Sequence, residues 1–326
     1  MTEQATLTGP ADILADDAPA HPSTLPGVLR SPMAQTHNAS PLTSLHMLVC
    51  IAFHYNEARL TYLAQVLQGL NAFPCDVRIC VLTNTTVEAE ARQLQQTVQQ
   101  TSRFPAPRVL HVSNLMHPFL LPWAHKQVMK EEYERDATLT HFVYLEDDMA
   151  LTPANMEYWI ESRELLAGTP FYPTLVRVEW NETTRQWHST DLLQPTSLAR
   201  APFIEVQGCE FVNMTAPYQG MTIYDRALLA EHIASPSFRM SEYANLARMV
   251  AIQNGQPGYF DARERATYGQ TYMSVPQGFH SRNLLRVSRK FRQTDFRAWI
   301  HHLPNNYTNN PAADSGKIAM GQALVD

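Results

Sequence analysis

The sequence predicts an α/β protein: a mostly parallel, Rossmann-like central sheet flanked by helices, followed by a less regular C-terminal part over the sheet edge. Three observations point there. Short apolar, β-branched runs alternate with segments of helical hydrophobic spacing through the first half of the folded region. Each apolar run stops in a small set of polar residues. The run nearest mid-chain, THFVYLEDDM, closes in an unbroken acidic triplet, Glu146-Asp147-Asp148.

Taken in order, residues 1–44 are rich in Ala, Pro, Thr, Ser and Asp and have the composition of a disordered tail. Order is expected from HMLVCIAFHYN, a strand apolar on both faces that ends in His54, Tyr55 and Asn56. Leu60, Leu63, Leu67 and Leu70 then recur at helical spacing. Asp76 to Leu82 reads as the second strand, ending at Thr83, and Glu88 to about Gln100 as a polar helix. Arg108 to Val112 is a short third strand, Trp123 to Arg135 a helix, and the triplet strand follows. This divides the folded region into 45–152, which carries the acidic triplet, and 153–326, both within one domain. In the second half a helix runs from Pro153 to about Leu166. FYPTLVRVEW, the segment from Gly208 to Thr215, YQGMTIYD and TYMSVP have strand character, with helices near Asp225–Ile233 and Glu242–Gln253.

At 326 residues and 44% hydrophobic, the chain can bury one large core. Its formal net charge of −6, from 25 basic and 31 acidic residues, argues against nucleic acid as the main partner. Cys50 and Cys80 lie inside apolar runs, and no cysteine pair has zinc-finger spacing, so buried small hydrophobes are expected. No apolar run has the length of a membrane span. No basic-then-apolar leader pattern opens the sequence. A cytoplasmic location is the expectation, with peripheral membrane association as a variant of it.

Three adjacent carboxylates repel one another unless a cation sits among them. Their place at the carboxyl end of a buried strand is where open α/β sheets bind ligands. A divalent ion held by one or two carboxylates, with a diphosphate completing its shell, is the simplest chemical use for them. The competing reading is a set of acids favoured by the dipole of the helix that opens at Pro153, although capping needs only one. In HPFLLPWAHKQ, Lys126 is placed to meet a phosphate and Trp123 to stack on a ring; otherwise Trp123 packs under the sheet and Lys126 faces water. Arg177 and Glu179, two apart in LVRVEW, share a strand face. They are either an ion pair or contacts for the acceptor or diphosphate. Gly220 in YQGMTIYD permits a ligand or a backbone to approach closely, making Gln219, Tyr218 and Asp225 acceptor-site candidates, or else it marks a bulge. Arg282, Arg286, Lys290 and Arg292 form a basic stretch that either balances a diphosphate or is a solvated face.

From roughly Leu48 to Ala150 the run of strands and helices leading to Glu-Asp-Asp resembles GT-A-type glycosyltransferases, in which such a triplet stands as a variant of Asp-x-Asp. The resemblance implies a GT-A-like fold with 45–152 as the nucleotide-sugar-binding half and 153–326 as the acceptor-binding half, a nucleotide-diphosphate sugar donor, a UDP-sugar first, bound through Mn²⁺ or Mg²⁺, a saccharide acceptor, and a hexosyltransferase-like activity. It implies Asp148 as direct metal ligand, Glu146 facing the ribose or a metal-bound water, and Asp147 between them. His54, Tyr55, Asn56 and Thr83 match the places that hold base and ribose. If transfer inverts, Glu264, or else Glu242, takes the acceptor proton. In HHLPNNY, which holds His301 and His302, His302 matches a late metal-shell histidine and would suit Mn²⁺. A sugar-1-phosphate nucleotidyltransferase is the first alternative, but the stretch after the first strand, FHYNEARL, lacks the glycines of a phosphate loop. A non-catalytic glycan-binding protein on the same fold is the second. A two-metal phosphohydrolase would want more His and Asp ligands.

Overall fold

The computed structural model describes residues 40–113, 115, 117–214, 217, 220–239 and 262–326, with the backbone alone for 262–264. Residues 1–39 of the tail expected over 1–44, and the helix expected near Glu242–Gln253, lie outside them. Residues 41–44, grouped with the tail by composition, form a 3-10 turn, Pro41–Ser44, and Leu42 within it is buried.

In chain order the strands and helices are β1 (His46–Phe53), α1 (Leu60–Leu70), β2 (Asp76–Thr83), α2 (Glu88–Thr101), β3 (Arg108–His111), α3 (Ala124–Arg135), β4 (His141–Glu146), β5 (Met149–Ala150) and α4 (Pro153–Leu165). They continue with β6 (Tyr172–Pro173), β7 (Val176–Asn181), β8 (Gln186–Ser189), β9 (Thr196–Ser197), β10 (Phe203–Val206), β11 (Cys209–Asn213), β12 (Thr222–Asp225) and α5 (Arg226–Ala234). The last are α6 (Ala262–Thr267), β13 (Asn283–Ser288), β14 (Gln293–Thr294), β15 (Trp299–His302), β16 (Ile318–Ala319) and β17 (Leu324–Val325).

The central sheet has the order β12-β4-β1-β2-β3. Strands β1 to β4 are parallel, and β12 is an antiparallel edge. Every residue of β1 after His46 is buried, as a strand covered by helices on both faces requires. The helical spacing in α1 is realised as a buried stripe of Leu60, Leu63, Val66, Leu67 and Leu70. Because β2 and β3 lie on one side of β1 and β4 on the other, the strand order reverses between β1 and β4. That switch point leaves a crevice outside the carboxyl ends of the two strands. Register aligns those ends: Ala52 pairs with Glu146 and Phe53 with Thr83.

The second half is less regular than the first because its sheets are mixed. One runs β16-β8-β7-β15-β5, another β10-β11-β13-β14 with β6 joined to β13. β15 pairs parallel with β7 and antiparallel with β5, the short strand that directly follows the acidic triplet. Helix α4 anchors this arrangement. Thr152 and Asn155 form a capping box, and the Asn155 amide also donates to the carbonyls of Arg297 and Trp299 at the start of β15. One expected strand is absent. TYMSVP forms turns, with Thr271 N donating to Tyr268 O, Met273 N to Gln270 O, and Ser274 at φ 50°. Local 1→4 turn bonds take the backbone groups that a ladder would need. No helix among the described residues is long and apolar enough to cross a membrane.

Candidate functional site

The acidic triplet sits where the switch point puts it. Glu146 ends β4, and Asp147 and Asp148 turn the chain into β5. Both aspartates are 4% exposed, so the triplet is not a solvated loop. Antiparallel pairing of His302 with Met149 carries the end of β15 to the same turn, and Leu303 N donates to the Asp148 carbonyl at 2.9 Å. His302 Nε2 thereby lies 3.2 Å from Asp148 Oδ2. On its other side His302 Nδ1 donates to Glu179 Oε1 at 2.6 Å. Glu179 is fully buried on β7, and its second oxygen accepts from the backbone N–H groups of Tyr307 and Thr308, at 2.9 and 2.7 Å. The Thr308 backbone can come this close because Gly316, at φ +76°, lies against it: a Cβ there would be 2.7 Å from Thr308 N.

The two sequence-assigned metal ligands, 154 residues apart, are therefore neighbours. A carboxylate behind a histidine fixes its tautomer and aims the opposite nitrogen, the usual arrangement behind a metal-binding imidazole. A spacing of 3.2 Å suits two adjacent donors on one octahedral ion, which sit roughly 3 Å apart when each bond is about 2.1 Å. Asp148 Oδ1 is buried and has no hydrogen-bond partner. An orphaned carboxylate oxygen beside an oriented imidazole fits a divalent cation. Among the described residues no three His, Cys, Asp or Glu side chains converge as a complete protein-built metal centre. Two protein ligands with the remainder from a diphosphate and water is the pattern that Mg²⁺ and related ions accept.

Arg59 is the residue that sequence reasoning missed. Its Nε and one Nη grip Asp147 at 2.8 and 2.6 Å, and the same Nη reaches Asp148 Oδ2 at 2.9 Å. It is placed by a 3-10 turn, Glu57–Arg59, whose N-cap is Asn56: Asn56 Oδ1 accepts from Ala58 N at 3.0 Å. The available signal was its position in FHYNEARL, three residues past the polar end of the first strand.

Charge and burial compete at this lip. Burial drives the Asp147 carboxyl up, to about 6, with Asp148 and Glu146 adding to the rise, and Arg59 offsets only part of it. For Asp148 burial also acts upward, but His302 and Arg59 outweigh it and hold the carboxyl below its ordinary range. Burial pushes the His302 imidazole down, and its bonds to Asp148 and Glu179 more than reverse that. Glu179 is likewise held low by His302 and by the Thr308 N–H against the upward push of burial.

The remaining expected residues divide as follows. His54, Tyr55 and Asn56 follow β1, and Thr83 ends β2, all at the carboxyl edge. Tyr55 donates from its hydroxyl to Gln93 Oε1 at 2.6 Å, and Thr83 is buried. Arg177 and Glu179 do not pair with each other: Glu179 takes His302, while Arg177 meets Asp191 at 3.2 Å and faces the Tyr307 ring at 5.3 Å. Asp225, an acceptor-site candidate, instead caps α5 through Leu228 N and bonds Arg163 at 2.8 Å. In the basic stretch, Arg282, Arg286 and Arg292 are paired with Glu231, Glu161 and Asp326. Glu264 falls in α6, with only its backbone described; Glu242, Tyr218 and Gln219 lie outside the described residues.

Lys126 is neither a solvated lysine nor in contact with the triplet. It is 3% exposed, donates to the Ser237 carbonyl at 2.7 Å and lies 4.0 Å from the centre of the Trp123 ring. Burial brings its ammonium down to about 7. Between that value and the ordinary range near 10.5 the unfolded chain holds the extra proton, so stability rises with pH across this window, by up to about 1.4 kcal/mol per unit. Urea melts between pH 6 and pH 10 are expected to show this rise in the wild type and to lose it in Lys126→Met. A flat wild-type profile would mean that the buried charge is accommodated.

The sequence matches no protein-family model, and no curated protein matches it. The class that fold and site define is thus an α/β protein of mixed sheets whose acidic crevice lies at a strand-order reversal.

Proposed function

We propose that this protein is a metal-dependent glycosyltransferase of GT-A-like fold, acting in the cytoplasm, that moves a sugar from a nucleotide-diphosphate donor, a UDP-sugar first, to a saccharide hydroxyl. The supporting observation is the pairing of Asp148 with His302 across 154 residues, with Glu179 behind the imidazole and Asp148 Oδ1 left without a partner. Asp148 and His302 would hold Mn²⁺ or Mg²⁺, which supplies electrostatic stabilisation to a departing diphosphate. Glu179 keeps the His302 proton on Nδ1 and so leaves Nε2 as the donor atom. Arg59 is a second fixed positive charge at the same lip, placed to balance phosphate oxygens. His54, Tyr55, Asn56 and Thr83 line the edge on which base and ribose would rest, with Glu146 and Asp147 beside them. For an inverting transfer, Glu264 or Glu242 would accept the hydroxyl proton.

The test is a thermal-shift panel of nucleoside diphosphates with and without Mn²⁺. One diphosphate, UDP first, is expected to stabilise the protein only when metal is present. Asp148→Ala should abolish that shift while the protein remains folded. A shift that survives the substitution removes Asp148 from the metal site. One observation favours a second reading, a glycan-binding protein that uses no metal: Arg59 already pairs with both aspartates. Saccharide binding with no diphosphate response in the same panel would select it.

A further inference from the structure

We infer that the hairpin joining β13 to β14 is a docking tip that seats the protein on the headgroups of an anionic lipid bilayer. Ser288 pairs with Gln293, so the loop between them is Arg289-Lys290-Phe291-Arg292, three cations and one aromatic residue with no acid. The loop is a tight turn: Arg292 N donates to Arg289 O at 3.3 Å, and Arg292 takes φ 52°. Lys290, Phe291 and Arg292 are all exposed. Phe291, at 53%, is exceeded in exposure only by Leu193 among the large hydrophobic side chains described.

Phe291 has apolar company at the same corner of the molecule. The Arg289 guanidinium stands 4.0 Å from the centre of the Phe203 ring and donates to the Leu198 carbonyl at 3.3 Å. Leu198 N in turn donates to the Val325 carbonyl at 2.7 Å. Phe203 is 42% exposed and Val325 39%. Arg292 reaches the same strand end through Asp326, at 2.5 Å. Three apolar side chains are thus left in water beside three cations, and each would gain by leaving it.

Charge and shape select the occupant. The chain carries a net charge of −6, so an anionic bilayer repels most of its surface, and the tip reverses that sign locally. The Lys290 ammonium lies 5.3 Å from the centre of the Phe291 ring, which puts charge and ring at one depth. A bilayer interface is layered in this way: aromatic rings rest at headgroup level and cations meet phosphates. A protein partner of ordinary affinity covers about 1,000 Å² or more in total, whereas a four-residue tip suits a soft surface that closes around it. Acids do border the tip. Glu210 accepts from the Arg289 backbone N–H at 2.9 Å, and Asp326 pairs with Arg292. The Arg292–Asp326 pair is mostly exposed, hence weak enough for a lipid phosphate to displace. With the local excess of positive charge small, affinity must come from ring and charge together.

The test is co-sedimentation of the full chain with vesicles, in EDTA and without nucleotide. Phosphatidylcholine vesicles carrying about 30% phosphatidylserine are expected to bind it at least about fivefold better than phosphatidylcholine alone, and rising NaCl should erode the difference. Lys290→Glu and Phe291→Ser should each weaken binding about fivefold or more, while Phe291→Trp should keep it. Lys317→Glu makes the same charge change on an exposed lysine just before β16, and should shift binding less than about twofold. All four positions are exposed, so melting temperatures should not change. No binding to the anionic vesicles, or an equal loss in Lys317→Glu, would overturn the assignment. Binding indifferent to Phe291→Ser would also overturn it, and competition by polyglutamate would then point to an acidic protein surface. Because metal and nucleotide are absent, failure here leaves the diphosphate test standing, and failure there leaves this one.

Discussion

Replacing Glu179 with Gln is expected to lower stability by about 2–4 kcal/mol, the range for breaking a buried charged network, and to weaken Mn²⁺-dependent UDP binding about 10- to 100-fold, as loss of a carboxylate behind a ligating histidine does. The reason is a count of donors. Three N–H groups, His302 Nδ1 and the backbone amides of Tyr307 and Thr308, point at two carboxylate oxygens that no water reaches. A glutamine offers one oxygen, and its NH₂ must face at least one of those donors. If it faces His302, the imidazole is free to change tautomer or rotate, and Nε2 is no longer aimed at Asp148. Urea melts and Mn²⁺ titrations in the presence of UDP measure the two losses separately. Unchanged metal dependence in a destabilised variant would make Glu179 a packing residue only.

Arg59→Ala is expected to make the protein's stability depend on metal. In the metal-free protein Arg59 is the countercharge that bonds both aspartates. Removing one partner of a buried pair leaves an uncompensated charge, typically 3–5 kcal/mol. The Arg59 side chain is 35% exposed, and solvent screening brings the expected loss to about 2–3 kcal/mol. Mn²⁺ should restore most of that loss and should stabilise the variant more than the wild type. The pH dependence has a definite sign. Asp147 is raised to about 6 when folded, so between its ordinary range near 3.8 and 6 the native state holds more protons than the unfolded chain, and stability falls as pH rises through that window. Without Arg59 the carboxyl rises further, and the deficit at pH 8 should exceed that at pH 5. Melts at both values, in EDTA and in Mn²⁺, are decisive: equal responses to Mn²⁺ in both proteins would show that Arg59 and a cation do not share the site.

Much of the first half was legible because its signals are local. Seven consecutive buried residues in β1, a leucine stripe in α1 and a triplet after an apolar strand each declare themselves within a dozen residues. The second half was read less well, because short strands in mixed sheets carry weak periodicity. TYMSVP has the composition of a strand and is a set of turns, and Asp225 looked like a ligand contact and is a helix cap. Arg177 and Glu179 share a face, as their spacing required, yet their partners, Asp191 and His302, come from elsewhere in the chain.

By itself the sequence determined the alternation of strands and helices, the acids at the end of β4 and the histidine late in the chain, since hydrophobic period and residue chemistry are properties of short segments. Only the tertiary structure decided that Asp148, His302, Glu179 and Arg59 form one charged network. The pairing of β15 with both β5 and β7 sets which side chains meet, and the exclusion of water makes their charges interdependent; neither is encoded in the spacing of any one segment.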